Sequence, residues 1–198
     1  MNITIKNATD FKEEVIIEEL VFLVCAGFKS KFTKTLFSKV EVPEVVSAFC
    51  HFLYTEKGEN LLIAMCDDKI CGCLFLTSNS DSYGNLVSSL RTRLSLPQTL
   101  KLLFLLGLLS HTPKPQERYI DFIAVSPHFR GRGIGKKLIF QCKKLFPNER
   151  VNLYVAKNNG NAYQLYKKLG FQVIKKNNSA LAGMLTGIKE WYMMEWVE

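Results

Sequence analysis

The strongest constraint on the fold is a glycine-rich turn between an apolar strand pattern and an amphipathic helix pattern, in the segment IAVSPHFRGRGIGKKL (residues 123–138). Glycines at the start of a helix allow several backbone N–H groups to point at one spot, and the helix dipole adds positive potential there. Gly131 and Gly133 can adopt a positive φ or permit close approach of a ligand. We therefore predict a strand–turn–helix unit whose turn binds a phosphate or pyrophosphate. The predicted binding residues of the turn are Arg130, Gly131, Arg132, Gly133, Ile134, Gly135 and Lys136.

Two other glycine-rich phosphate sites have a different spacing. A Walker loop reads G-x-x-x-x-G-K-[ST], but here the glycines are too close together and no hydroxyl residue follows Lys136. A dinucleotide-binding fingerprint reads G-x-G-x-x-G after the first strand of a βαβ unit, whereas these glycines fall as G-x-G-x-G past the middle of the chain. The spacing therefore disfavours both of these nucleotide-binding classes.

A second motif follows the turn at a separation of about one helix and one strand. Residues 159–171 read NGNAYQLYKKLGF, which has the pattern N-x-x-A-x-x-L-Y-x-x-x-G-F. This segment and the pattern Arg130-x-x-Gly133-x-Gly135 resemble the two signatures of the GNAT superfamily of N-acetyltransferases. The resemblance covers roughly residues 119–173.

The resemblance implies one α/β domain over residues 1–198, with a mixed, mostly antiparallel central sheet that is splayed at the cofactor-binding strand and flanked by helices. It also implies acetyl-CoA as co-substrate, with its pyrophosphate on the glycine-rich turn and its pantetheine arm on the exposed backbone of the preceding strand. Asn159 and Tyr166 would complete the cofactor site, although Asn159 can equally serve only to cap its helix. The strand residues concerned are Ile123, Ala124 and Val125.

The chemistry that the resemblance implies is direct attack of an amine on the thioester in a ternary complex. Tyr166 matches the tyrosine that protonates the departing thiolate in many family members, and a half-buried packing role is the alternative. For the base we consider Glu117 and Asp121, because strict strand alternation would place both on the same face as Ile123 and Val125. Glu117 can instead be a solvated charge at a strand start. His51 and His111 fall in helical patterns and have no recognisable partners in the sequence.

A long helical insertion departs from the family pattern. Residues 82–115 separate a predicted hairpin, at 61–66 and 69–77, from the cofactor-binding strand, and the segment TLKLLFLLGLLS is apolar nearly all round. The insertion can pack over the open edge of the cleft, form the wall of a pocket for a hydrophobic acceptor, or form a homodimer interface. We also predict a separate helix at 31–37, a loop at 175–187 and a final strand at 189–197.

Composition narrows the possible partners. The chain has 198 residues, a net charge of +8 and scattered basic residues, without the arginine-rich arm or aromatic–basic repeats typical of nucleic-acid binding. We expect no nucleic-acid partner, no membrane span, no metal site, and six reduced cysteines in a cytoplasmic protein. The expected function is an acetyl-CoA-dependent N-acetyltransferase that acts on a primary amine. The alternative is a catalytically inactive module that senses acyl-CoA.

Overall fold

The computed structural model describes residues 2–33 and 36–197. Strands and helices alternate along most of this length, with two successive helices before β2 and two between β3 and β4. In chain order they are β1 (Ile3–Asn7), α1 (Glu13–Thr33), α2 (Glu41–Lys57), β2 (Leu61–Cys66), β3 (Lys69–Thr77), α3 (Leu86–Arg91), α4 (Leu96–Leu109), β4 (Glu117–Val125), α5 (Ile134–Leu145), β5 (Arg150–Ala156), α6 (Gly160–Lys168), β6 (Phe171–Asn178), α7 (Ala180–Thr186) and β7 (Glu190–Trp196).

The strands form one seven-stranded sheet in the order β1-β2-β3-β4-β5-β7-β6. Adjacent strands of the sheet are antiparallel, except for β4 and β5, which are parallel. The predicted mixed, mostly antiparallel α/β sheet is therefore confirmed. The predicted hairpin is also confirmed: Asp67 and Asp68 join β2 to β3 with φ of 46° and 68°, the signs that a two-residue type I′ turn requires.

Helices cover both faces of the sheet, which explains the nearly continuous apolar sequences of β2 and β3. Leu61, Ile63, Cys73 and Phe75 pack against α1, α2 and the helices of the insertion. The alternate residues of the same strands pack against α5 and α6 on the opposite face. The side chains of each strand therefore divide between two apolar cores, as the two-residue period of a strand dictates.

The sheet opens between its two parallel strands. β4 and β5 pair only from Glu117↔Arg150 to Ile120↔Leu153, and beyond these residues the strands separate. We call the space beyond Ile120 and Leu153 the gap. The predicted splay at the strand that precedes the glycine-rich turn is thus confirmed.

A β-bulge interrupts the alternation of β4. The register with β3 changes from Phe75↔Phe122 to Leu76↔Ile120, so Asp121 is an extra residue on β4. Consequently Ile120 and Ile123 both join the core on the α5 side, and strict alternation fails. The prediction that Glu117 shares a face with Ile123 and Val125 was wrong for this reason.

The insertion forms two helices, as expected. α3 and α4 pack into the core with α1 and α2 through residues such as Leu90, Leu102 and Leu105. α4 begins at a capping box in which Ser95 and Gln98 each bond the other's backbone N–H. Two predictions elsewhere need correction.

The predicted loop at 175–187 is instead the end of β6 followed by α7, and the helix has an Ser179 N-cap and a left-handed Gly187 at its C-terminus. Of the separate helix predicted at 31–37, residues 31–33 are the last residues of α1. Residues 34 and 35 lie outside the described residues, but Leu36 and Phe37 are not helical, so the prediction of a separate helix at 31–37 was wrong for the residues that the structure describes.

We expect Gly72→Ala to destabilise the protein by about 1–3 kcal/mol, because the site is already close-packed. A Cβ at Gly72 would lie 3.0 Å from the backbone oxygen of Ala124 and 3.1 Å from Ile134 Cγ2. The control is Gly107→Ala in α4, where a Cβ would meet no atom within 4 Å. There the higher helix propensity of alanine should raise the free energy of unfolding by about 0.5–1 kcal/mol. Urea unfolding of the three proteins measures both effects, and equal stability of Gly72→Ala and wild type would contradict the packing argument.

Candidate functional site

The glycine turn (Arg130–Gly135) has the backbone conformation that its sequence predicts. Gly131 and Gly133 have φ of 76° and 80°, and a Cβ on either residue would meet no atom within 4 Å. Gly133 precedes α5, where no side chain caps the helix, whereas Asn159 caps α6 and Ser179 caps α7. The first-turn N–H groups of α5 have no intrahelical partner, and no side-chain cap among the described residues bonds them.

Basic side chains surround this turn, and hydrogen bonds or contacts with aromatic rings hold them in place. The Arg130 Nε donates to the carbonyl oxygen of Val125 at 3.2 Å, and the Lys137 Nζ donates to a backbone oxygen of β1 at 3.2 Å. Arg132 and Lys136 lie over aromatic rings at 5.4 and 5.5 Å. Their charge adds to the positive end of the α5 dipole.

The strand before the turn directs backbone groups into the gap. Ser126 N–H donates to Cys71 O at 2.9 Å, and hydrogen-bonded pairs alternate along an antiparallel ladder. The N–H and C=O groups of Ile123 and Val125 therefore point away from β3, whereas those of Ala124 face it. Within the described part of the chain, no strand pairs with that outer edge of β4 after Ile120.

One cavity of about 1540 Å³ passes through the gap. On the α6 side its lining includes Asn159, Ala162 and Tyr166, and Ile123 lies at the strand edge. On the opposite side of the sheet it is bounded by apolar residues of α1 and α4 and by α7. The insertion therefore forms one wall of this cavity, as one of the three interpretations of its sequence proposed.

Tyr166 and Asn159 lie on α6 at the cavity. Tyr166 is 6% exposed, and its ring packs against Phe171 with centroids 5.7 Å apart. Burial raises the pKa of Tyr166 to about 12, so the hydroxyl keeps its proton at neutral pH. Asn159 accepts from the Ala162 N–H at 3.3 Å, which is the capping role considered from the sequence.

The start of α5 is packed against the elements that border the gap. A Cβ on Gly135 would meet Leu165 Cδ2 at 3.6 Å and Ile123 Cδ1 at 3.7 Å, both ordinary van der Waals distances. The side chain of Ile134 is buried in the same core. Packing therefore fixes the glycine turn relative to both β4 and α6.

Asp121, the bulge residue of β4, lines the cavity. Burial, and then the charge of Asp121, raise the pKa of Tyr83 and of Tyr119. Both phenols therefore remain neutral near a carboxylate. Of the two acidic residues considered from the sequence, Asp121 is the one whose side chain borders the cavity.

Glu117 has different surroundings. Its side chain is 2% exposed, and its carboxylate accepts hydrogen bonds from His111 Nε2 at 2.7 Å and from the Lys114 N–H at 2.9 Å. Burial alone would raise the pKa of Glu117, but bonds from Asn152, Lys114 and His111 outweigh it and hold the pKa below its usual range. Glu117 is therefore a buried carboxylate and not a solvated strand-start charge.

His51 and His111 both have carboxylate partners that were not recognisable in the sequence. His51 Nδ1 lies 2.7 Å from Glu13 Oε1, and His111 Nε2 lies 2.7 Å from Glu117 Oε1. His111 follows the end of α4 and lines the cavity. Neither pairing has a local sequence signal: the first joins two helices, and the second joins the last residues of the insertion to the start of β4.

The cysteines and the helices show two further features. None of the six cysteines forms a disulfide with another described residue, and burial raises the pKa of Cys73 and of Cys142 to about 12. Over residues 2–33 and 36–197, no helix has both the length and the apolar character needed to cross a bilayer.

Comparisons with known proteins connect this arrangement to a family. A probable spermine N(1)-acetyltransferase of Bacillus subtilis subsp. natto is 34% identical over 58 residues, which are 27% of this chain and 38% of that protein. Another curated relative matches over 18% of its own length, so the chain spans well under half of either protein.

Solved structures match over nearly the whole chain. An N-acetyltransferase from Staphylococcus aureus Mu50 has a TM-score of 0.66 and 22% identity, over 97% of this chain and 99% of that one. Arabidopsis thaliana Naa50, in complex with the bisubstrate analogue CoA-Ac-MVNAL, has a TM-score of 0.57 and 15% identity, over 100% of both chains. These likenesses show a shared fold.

The family model described as "Acetyltransferase (GNAT) family" matches residues 29–171, more than half of the chain. With the glycine turn and the splayed sheet both in place, we conclude that this protein belongs to the GNAT acetyltransferase family.

Proposed function

We propose that the protein is an acetyl-CoA-dependent N-acetyltransferase that transfers the acetyl group to a primary amine by direct attack in a ternary complex. The observation that carries the proposal is the free edge of β4, which leads from the glycine turn to the same cavity as Tyr166. The six cysteines form no disulfide among the described residues, which supports a reducing, cytoplasmic compartment.

The chain offers a continuous binding surface for the co-substrate. The uncapped start of α5 and the basic residues around it suit a diphosphate. The outward N–H and C=O groups of Ile123 suit the amides of a pantetheine arm, which would add to β4 as a strand does. At Val125 the carbonyl already accepts from Arg130, so the N–H is the group that it offers.

The chemical step requires proton transfers at two places: the attacking amine nitrogen loses protons, and the departing thiolate gains one. The amine nitrogen attacks the thioester carbon, the C–N bond forms and the C–S bond breaks. Tyr166, which stays protonated because it is buried, donates to the departing thiolate. Holding both reactants in one cavity supplies much of the rate.

Asp121 is the proposed contact for the acceptor amine. It lies at the bulge where β4 reaches the cavity, next to the apolar wall formed by α1 and α4. A carboxylate there attracts an ammonium group, while the apolar wall favours a hydrocarbon portion of the same acceptor.

We expect acetyl-CoA to raise the melting temperature of the wild type, and we use Gly133→Asn and Gly133→Asp to test the diphosphate site. Both side chains tolerate the left-handed φ of 80°, and they have nearly the same shape. Only Asp adds a negative charge at the uncapped helix start, so it should weaken acetyl-CoA binding by at least about tenfold relative to Asn.

The comparison uses thermal shift and calorimetric titration of the two variants. Acetyl-pantetheine, which lacks the diphosphate, serves as control because the added charge should not discriminate against it. Equal affinity of the Asn and Asp variants for acetyl-CoA would place the diphosphate elsewhere.

We expect Tyr166→Phe to lower kcat about a hundredfold or more while the affinity for acetyl-CoA changes little, because only the proton donor is lost. Tyr163→Phe is the matched control on the same helix, since Tyr163 packs against Tyr192 at 5.4 Å. Release of free CoA thiol and calorimetric binding provide the two readouts. Parallel losses in both would mean that the hydroxyl only binds, and binding without any turnover in the wild type would favour the sensor alternative.

A further inference from the structure

We propose that His111 is the general base that removes protons from the acceptor amine, and that Glu117 is the positioning residue that orients it. The geometry that points to this is a hydrogen bond between the buried Glu117 carboxylate and the His111 imidazole, which lines the cavity where the β4–β5 pairing ends. The inference rests on the proposed acetyl transfer and names a base for it.

The pair fixes which ring nitrogen can act. The Glu117 carboxylate can only accept, so His111 Nε2, 2.7 Å from Oε1, carries the hydrogen. The neutral ring then has its lone pair on Nδ1, the atom that can take a proton. The Glu117 side chain is 2% exposed and that of His111 is 16% exposed, so of the two it is the imidazole that a substrate can reach.

The position of the ring matches the place of reaction. The His111 ring contacts Tyr119 of β4 at 4.6 Å and Tyr154 of β5 at 5.7 Å between centroids. These two tyrosines flank the point where β4–β5 pairing ends, at Ile120↔Leu153. A pantetheine arm that ran along β4 from the glycine turn would lead to this point, and its thioester would then lie near His111.

The acid and the base approach from opposite faces of the sheet. Ile120 and Leu153 face the α5 core, so Tyr119 and Tyr154, one residue away on their strands, face the other side together with His111. Tyr166 belongs to the α5 core. A thioester in the gap would thus meet Tyr166 from one side and an incoming amine from the side of His111.

The imidazole bonds one carboxylate and contacts two phenols. Asp121 and the ionised Glu117 bring negative charge, and burial raises the pKa of Tyr119 so that this phenol stays neutral. Tyr154 accepts a hydrogen bond from Asn177. The titratable groups that touch the ring are Glu117, Tyr119 and Tyr154. The other titratable groups that line the same cavity are Asp81, Tyr83, Asp121, Tyr166, Lys175 and Lys176.

The proton count balances. An ammonium acceptor loses one proton to His111 Nδ1 before attack, and that proton passes to solvent. The nitrogen loses a second proton to His111 after the C–N bond forms, and this proton also leaves to solvent. Tyr166 gives a proton to the thiolate as the C–S bond breaks and regains one from solvent, so each turnover releases one proton.

The pair also ties the end of the insertion to β4, so the test must separate chemistry from stability. The variants are His111→Gln and Glu117→Gln, and the control is His51→Gln, which breaks a histidine–carboxylate pair of the same 2.7 Å distance between α1 and α2. Rates are followed by CoA thiol release from acetyl-CoA, between pH 5.5 and 9. The amines are spermidine, tyramine and a peptide with a free N-terminus.

We expect His111→Gln to lower kcat about a hundredfold and to abolish the acid limb of the pH–rate profile, with the KM for acetyl-CoA unchanged. Glu117→Gln should cost less, about tenfold in kcat with the KM for acetyl-CoA unchanged, because an amide can donate as well as accept and no longer fixes the His111 tautomer as a carboxylate does. His51→Gln should match the wild type. Added imidazole should restore part of the rate of His111→Ala, a result that lost stability would not produce.

Two failures are distinguishable. If the wild type transfers acetyl groups and His111→Gln keeps both the rate and the acid limb, the assignment of the base is overturned while the acetyltransferase proposal stands. If acetyl-CoA neither shifts the melting temperature of the wild type nor releases thiol with any of these amines, the proposed function itself is overturned and the inference with it.

Discussion

The separation of β4 from β5 is the constraint on which the rest of the site depends. Four residue pairs hold the two parallel strands together, and beyond them β4 has backbone groups that no strand of residues 2–33 and 36–197 uses. Buried backbone groups without partners are costly, so such an edge persists only where solvent or a ligand can reach it. The cavity supplies that access, and packing of Gly135 against Ile123 and Leu165 holds the glycine turn at the end of the same edge.

The bulge at Asp121 changes which layer of the protein the side chains of β4 face. Before it, Glu117 and Tyr119 face the side of the insertion; after it, Ile123 faces the α5 core while its backbone faces the gap. Without the extra residue, the side chains on one half of the strand would face the wrong layer. A single local irregularity therefore lets one strand contribute to a carboxylate–imidazole pair at one end and present an open backbone edge at the other.

Local sequence signals predicted most of the elements, the hairpin and the glycine conformations, because each depends on neighbours within a few residues. The splay was predicted from the family resemblance that the two motifs carry. The face of Glu117 was mispredicted because a bulge leaves no clear mark in the apolar alternation. The pairing of His111 with Glu117 depends on where the insertion ends against β4, which is a tertiary property. α7 was missed although Ser179 and Gly187 mark its ends, since its apolar stripe is only two turns long.

The length of α4 sets the position of one wall of the cavity and of His111. Its apolar residues form one wall, and His111 stands two residues past its last turn. A helix advances about 1.5 Å per residue, so inserting or deleting one turn would displace that wall and the imidazole together by about 5 Å. Changes in the length of this one segment would therefore alter the depth available to a bound molecule, with the strand edge and the glycine turn left as they are.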